Sequence, residues 1–214
     1  MDAPFLFDWP SAAAVGRVVP KVKFYEHTPV TAALKERFTR EAQRITWAFK
    51  LGEETINIPG DKAVPEIQVF VVDAKGDDVS DAVLSAIDKA VKSPIVFEIH
   101  RGDAATSEVR MTAALGAFQS TPWLTASAAR APLPPAITLA GLHLQLLGPA
   151  LPVTPRAGEI MSDLAARVGQ IRRLQRQADS LEKRLRAEPQ FNRKVDLRSE
   201  LQATRDTLVG LGAK

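Results

Sequence analysis

The chain of 214 residues contains no cysteine. Disulfides, thiolate nucleophiles and cysteine-based zinc sites are therefore excluded. Histidine is scarce, and the three present, His27, His100 and His143, stand in unrelated contexts. With no G-x-S-x-G segment beside them, a Ser-His-Asp arrangement is not legible. G-x-x-x-x-G-K-[ST] and G-x-G-x-x-G are also missing, so the backbone cradles that hold nucleotide phosphates are not offered and no cofactor is expected. No apolar run approaches the roughly 18 residues of a membrane span. The opening MDAPFLFDWP carries Asp2 where a secretion signal needs basic residues. A cytoplasmic protein without a membrane partner is the expectation.

What the chain does have is an ordinary globular composition, 45% hydrophobic and 25% charged, enough to build a core and too apolar for wholesale disorder. The length fits one domain with an appendage. Net charge is only +3, but its distribution is uneven. From Arg156 onward there are 13 Lys/Arg against 8 Asp/Glu, leaving 15 basic residues against 17 acidic in the rest. The C-terminal segment alone is basic, which hints at an anionic partner for it.

Pro4, Pro10 and Pro20 break the first 25 residues, with a short helix expected after Pro10, KVKFYEH read as an edge strand, and Phe5, Leu6, Phe7 and Trp9 expected to pack on the domain. Thr28-Pro29 or Thr31 then supplies a helix cap and Gly52 a stop, with Leu34, Phe38, Ala42, Ile45 and Phe49 spaced as one buried stripe. Arg37, Arg40, Arg44 and Trp47 fall at the same spacing on the other side of this expected helix. A short strand is expected at Thr55–Ile58. Ile67–Val72 reads as a strand covered on both faces. Asp78 or Ser80 caps a helix carrying Val83, Ile87, Ala90 and Val91, and Ile95–His100 is a second apolar strand. Strand, helix, strand over this distance predicts a βαβ unit with parallel pairing. Glu108–Leu115 and Ala117–Ser120 are expected strands, residues 121–137 a proline-rich loop, and Leu139–Leu147 a short apolar helix.

From Ile160 a heptad-like seam runs through Leu164, Val168, Ile171, Leu174, Ala178, Leu181 and Leu185. Pro189 interrupts it. Leu197, Leu201, Thr204, Leu208 and Leu211 resume it, so the two helices must fold back antiparallel. Residues 1–150 are thus expected to form an α/β domain with a mixed sheet, 151–158 a proline-rich linker, and 159–212 an antiparallel coiled-coil hairpin. Because an isolated helical pair is marginal, the seam residues Ile171, Leu174, Leu181, Leu185, Leu201 and Leu208 are candidates for partner contact, either with a larger protein or with a second copy of the chain. Arg172, Arg173, Arg176, Lys183 and Arg186 form a basic outer face that suits nucleic-acid phosphates or plain solvent.

The phrases LFDWP, PKVKFYEH, ITWAFKLGEETINI, VPEIQVF, AIDKAVKSPIVFEI and QFNRKVDL, taken together, resemble the bacterial domain-of-unknown-function family numbered 4391, over nearly the whole chain. The resemblance implies no catalytic residues. It implies a context: such proteins tend to be encoded beside SNF2-type helicases and DNA methyltransferases, in clusters that look like antiviral defence or restriction systems.

Two functions follow as expectations. One is a non-catalytic accessory subunit docked on a DNA-processing partner, with Arg37, Arg40, Arg44, Trp47, Arg172, Arg173, Arg176 and Lys183 as the residues that would meet nucleic acid: guanidinium for phosphate, ring for base. The other is a degenerate or unusual metal-dependent nuclease built on Glu66, Gln68, Asp88 and Glu98, with glutamine where a lysine would assist the attacking water. Glu98 and His100 share a strand face opposite Phe97 and Ile99; two ligands are too few for a metal, and a solvated strand end is the plainer reading.

Overall fold

The computed structural model describes residues 5–27, 31–103, 106–156 and 158–213. The chain divides into two compact units, one comprising the chain up to Ala114 with Phe118–Ala150, the other Leu115–Ala117 with the chain from Leu151 onward.

The first unit is built on a mixed sheet. Its order is β1 (Ala14–Val18), β2 (Ala42–Leu51), β3 (Ile67–Ala74), β4 (Ile95–Arg101), β5 (Glu108–Leu115) and β6 (Ala117–Ser120), with β7 (Leu124–Thr125) also paired to β5. The β3–β4 pair is parallel, and α4 (Asp81–Ala90) is the crossover between them; the continuous apolar runs of the two strands are what a doubly covered parallel pair requires. The β1–β2, β2–β3, β4–β5 and β5–β7 pairs are antiparallel. Phe70, Val72, Ile95, Phe97 and Ile99 point to one face and pack with Phe24, Phe38, Val83, Leu84 and Ile87 from the helices α1 (Lys21–His27), α2 (Ala32–Glu41) and α4. On the other face the N-terminal arm is buried at Leu6 and Phe7. It is tied by Asp8 N–H to Ala131 O at 2.7 Å and by Trp9, whose ring lies 6.0 Å from that of Phe49. The arm therefore packs on the domain, and α5 (Leu139–Leu147) forms where its apolar residues place it.

Three local expectations are overturned. The long helix to Gly52 stops at Glu41, and Ala42–Leu51 is a strand. Two bulges, between Ala42 and Arg44 and between Trp47 and Phe49, each insert a residue. Burial consequently recurs at Ala42, Ile45, Ala48 and Leu51, every third position, which imitates a helical stripe. The β-branched and aromatic content of ITWAF was the countervailing signal. Thr31 is the cap, accepting from Leu34 N–H; Thr28 and Pro29 lie outside the described residues. KVKFYEH is α1 and not a strand: it starts on Pro20, whose carbonyl takes Lys23 N–H, and packs Phe24 on Phe38 and Phe70. Residues around Thr55 form α3 (Glu53–Ile56), not a strand, because the Thr55 hydroxyl accepts from Gly52 N–H and Asn57 ends the turn at φ 53°. Pro10 precedes a single 3-10 turn, Ser11–Ala13.

The second unit is a helical pair, α6 (Met161–Ala187) and α7 (Phe191–Gly210), reversed over three residues at Pro189. Ala178, Leu181, Leu197 and Leu201 make its core, with Leu185 against them. At its base Arg167, only 7% exposed, donates to both Glu159 oxygens at 2.7 and 2.6 Å, to Leu211 O at 3.0 Å and to Thr154 O at 3.1 Å. One guanidinium thus joins α6, the end of α7 and the segment before α6, where Val153 also bridges Ala213. These hydrogen bonds, Arg167 foremost, hold the Glu159 carboxyl down at about 2.

Candidate functional site

The basic residues read as one helical stripe are divided by the end of α2. Arg37 and Arg40 remain on the helix, 3.9 and 3.6 Å from Glu41. Arg44 and Trp47 sit an odd number of residues apart in β2, so they leave opposite faces of the sheet. Arg44 pairs with Asp73, its Nε 2.7 Å from the carboxylate. Trp47 lies on the helix-covered face, half-buried against the core, and donates its indole N–H to Gln68 at 2.6 Å. Its ring is a packing element of this face and not a partner for Arg44.

What gathers around Arg44 instead is a different set of cations. Lys21 Nζ donates to Ala42 O at 2.6 Å and Lys75 Nζ to Thr39 O at 2.7 Å, satisfying carbonyls at the C-terminal end of α2. Neither ammonium has a carboxylate partner among the described residues. Burial and the charge of Lys75 lower the pKa of Lys21. Two clefts open here and share Gln43 and Arg44 in their walls. One, about 470 Å³, is floored by Val18, Val22, Ile45 and Tyr25 and edged by Lys21. The other, about 290 Å³, lies at the carboxyl ends of β3 and β4 between Asp73, His100, Arg101 and Ser107, the place where parallel strands ordinarily receive ligands. Arg101 and Arg110 both lie over the ring of Trp123, at 4.0 and 4.8 Å.

The acidic set is not convergent. Gln68 and Glu66 lie on the helix-covered side: Gln68 pairs with Lys50 in register and bonds Glu66 at 2.7 Å, and Glu66 reaches Lys50 at 2.7 Å and Ser93 at 3.1 Å. Burial would raise the Glu66 pKa, but the bonds from Lys50 and Ser93 prevail and lower it. Asp88, on α4, lines a cleft of about 300 Å³ with Ser93 and His143, and burial raises its pKa. Glu98 emerges on the opposite face. It is 3% exposed, so it is no solvated strand end. Arg130 grips both its oxygens at 2.7 and 2.9 Å, Trp9 Nε1 donates at 2.6 Å, and His100 Nε2 stands 3.5 Å away. Burial pushes the Glu98 carboxyl up, yet these donors outweigh it and hold the group at about 2. Both glutamates are thus occupied by internal cations, on two different faces.

In the helical pair, Leu181, Leu185 and Leu201 are spent on one another. Ile171 is buried, and Leu174 and Leu208 are half-buried. At Leu181, Leu185 and Leu201 the seam joins the two helices to each other. Arg173, Arg176 and Lys183 are exposed and Arg172 is half-buried; Arg186 pairs with Glu182 at 3.2 Å. Apolar side chains are exposed singly at Ile160 and Val209 and as a pair at the tip, where Phe191 is 74% exposed and Val195, one turn on, 48%. Around it, residues 183–198 hold six basic side chains and two acidic ones.

The profile of a domain of unknown function, DUF4391, matches residues 7–208. The chain belongs to this family. No curated protein and no solved structure matches it. Among the described residues of this DUF4391 member, no helix is long and apolar enough to cross a membrane.

Sequence reasoning missed Arg130, Arg167, Lys21 and Tyr25. Arg130 had no local signal, since its partner Glu98 is 32 residues away; Arg167 meets Glu159 only 8 residues back, but outside its helix, and Leu211 O lies 44 residues on. Lys21 and Tyr25 were hidden by reading their helix as a strand.

Proposed function

We propose that this protein is a non-catalytic accessory subunit that docks, through the outer surface of its helical hairpin, on a larger DNA-processing protein. An SNF2-type helicase or a DNA methyltransferase, in a cytoplasmic antiviral defence or restriction-like system, is the partner class that the family context suggests. The observation that carries the docking is the hairpin tip. Phe191 and Val195 lie one helical turn apart on α7, exposed, in a stretch, 183–198, where basic side chains outnumber acidic ones by six to two. A solvated helix has no use for such a pair, whereas an aromatic anchor with a charged rim is how interfaces concentrate their energy. The alternative, a metal-dependent nuclease, is supported less well: Glu66 and Glu98 face opposite sides of the sheet, each neutralised by its own cation.

Affinity purification of the tagged chain from its native host tests this reading. The intact protein should retain a DNA-processing enzyme, and a Phe191→Asp, Val195→Asp variant should lose it while keeping its circular dichroism. Equal recovery of that enzyme by both would reject docking through the tip, and recovery of a second copy of the chain alone would replace the partner with self-association.

A further inference from the structure

We propose that the trough beside the α2–β2 junction is a binding site for single-stranded nucleic acid, with Lys21 and Arg44 on the phosphodiester backbone and Tyr25 beneath a base. This site lies wholly in the first unit and stands independently of hairpin docking.

Three features of the trough converge. The first is unspent positive charge. Lys21 and Lys75 meet only backbone carbonyls, and they are close enough for one to disfavour the charge of the other. Neither has a carboxylate partner among the described residues; a phosphate would supply the missing anion. Arg44 uses only Nε on Asp73, which leaves its two terminal amino groups without a hydrogen bond among the described residues. A guanidinium has five donors, so it can hold Asp73 and a phosphate oxygen together.

The second feature is the floor. Val18, Val22, Ile45 and Tyr25 line the same cleft as Lys21 and Arg44. Val18 and Val22 are both more than half exposed, an apolar surface that a purely ionic site would not need. Tyr25 meets Phe38 in a T-shaped contact at 5.3 Å, which fixes the ring, and Lys35 Nζ lies over one face of it, 5.6 Å from its centre, so a base would take the other face. A rigid aromatic ring among cations suits a nucleotide, whose base is planar and whose linkage is anionic. An acidic peptide would satisfy the lysines but has no flat group for the ring. A duplex would satisfy them too, but its bases are stacked away.

The third feature is continuity. Gln43 and Arg44 also wall the cleft at the carboxyl ends of β3 and β4, where His100, Arg101 and Ser107 follow. A strand laid along the trough would thus pass from Lys21 across Arg44 to Arg101.

Fluorescence anisotropy of a labelled oligothymidylate of about 15 nucleotides with the full chain, over a range of salt, tests this. Lys21→Gln with Arg44→Gln should flatten the dependence of log affinity on log salt by about 1.4, the value for two phosphate contacts on a single strand. Tyr25→Leu should weaken binding about ten-fold or more, and Tyr25→Phe should restore it. Circular dichroism of each variant, unchanged, keeps loss of fold apart from loss of contact. An unaltered salt slope in Lys21→Gln, Arg44→Gln would overturn the assignment. So would equal displacement of the oligonucleotide by polyglutamate, or loss of all binding on replacing Arg173, Arg176 and Lys183 alone, which would move the site to the hairpin.

Discussion

Replacing Glu98 by Gln removes one charge from the interior of the first unit, and the structure gives the size of the effect. The Glu98 carboxyl titrates at about 2 in the fold against an ordinary 4.5, a difference worth about 3 kcal/mol of stability at neutral pH. A second route agrees. Gln keeps the shape, but its carbonyl can replace only Oε1, which takes Trp9 and one Arg130 nitrogen; its N–H₂ then faces the second Arg130 donor. Leaving a buried cation without its counterion typically costs about 3–5 kcal/mol. Because the folded pKa is depressed, the Glu98 contribution is complete above pH 4.5 and disappears as pH falls towards 2. Urea denaturation followed by tryptophan fluorescence, with Trp9 as a local reporter, should therefore show Glu98→Gln destabilised by about 3 kcal/mol at pH 7 and by only about 1 kcal/mol at pH 3. Glu98→Leu with Arg130→Met should recover part of the loss, since a matched apolar pair needs no desolvated ions, while Trp9 N–H and Phe7 O lose their partners. A deficit below about 1 kcal/mol at pH 7, or one that does not shrink in acid, would refute the account.

His143 is 6% exposed and burial holds its pKa near 4. It is neutral in both states above pH 6.5, and the unfolded chain alone gains a proton as pH falls from there. Stability should thus decline by about 1.4 kcal/mol per unit towards pH 4, and a His143→Leu variant compared with the parent between pH 7 and 5 should lack that part of the slope. In the hairpin, Leu181→Ala should cost about 2–5 kcal/mol and lower the melting temperature of the helical signal, whereas Val209→Ala, exposed on the same pair, should stay within about 0.5 kcal/mol.

The elements that sequence reveals here are those whose periodicity is set by one chain segment against one environment. The strands β3 and β4 and the crossover α4 are continuous in apolarity or regularly amphipathic, and the α6–α7 reversal is fixed by Pro189 between two seams. β2 defeats the same reasoning because its bulges alter the period itself. The consequence reaches the side chains: with a helix assumed, Arg44 and Trp47 share a surface; in the strand, the regular alternation between the two bulges parts them to opposite sides of the sheet.

The candidate site was legible in its residue types and not in its partners. Arg37, Arg40 and Arg44 do mark a cationic region, but the fold completes it with Lys21, Lys75 and Tyr25, which precede or follow them by 12 residues or more, Tyr25 and Arg37 being the nearest pair. Glu98 shows the converse. Its pairing with His100 on one strand face follows from alternation alone, and that part is present at 3.5 Å. Its exposure could not follow, because the group that buries and neutralises it, Arg130, comes from a segment without periodicity. Charge neutralisation inside a fold is a long-range property, so a sequence reports where charges are and the structure decides which are spent. In this chain the spent ones are Glu66, Glu98, Arg130 and Arg167, whereas Lys21, Lys75 and the amino groups of Arg44 keep their capacity for an outside anion.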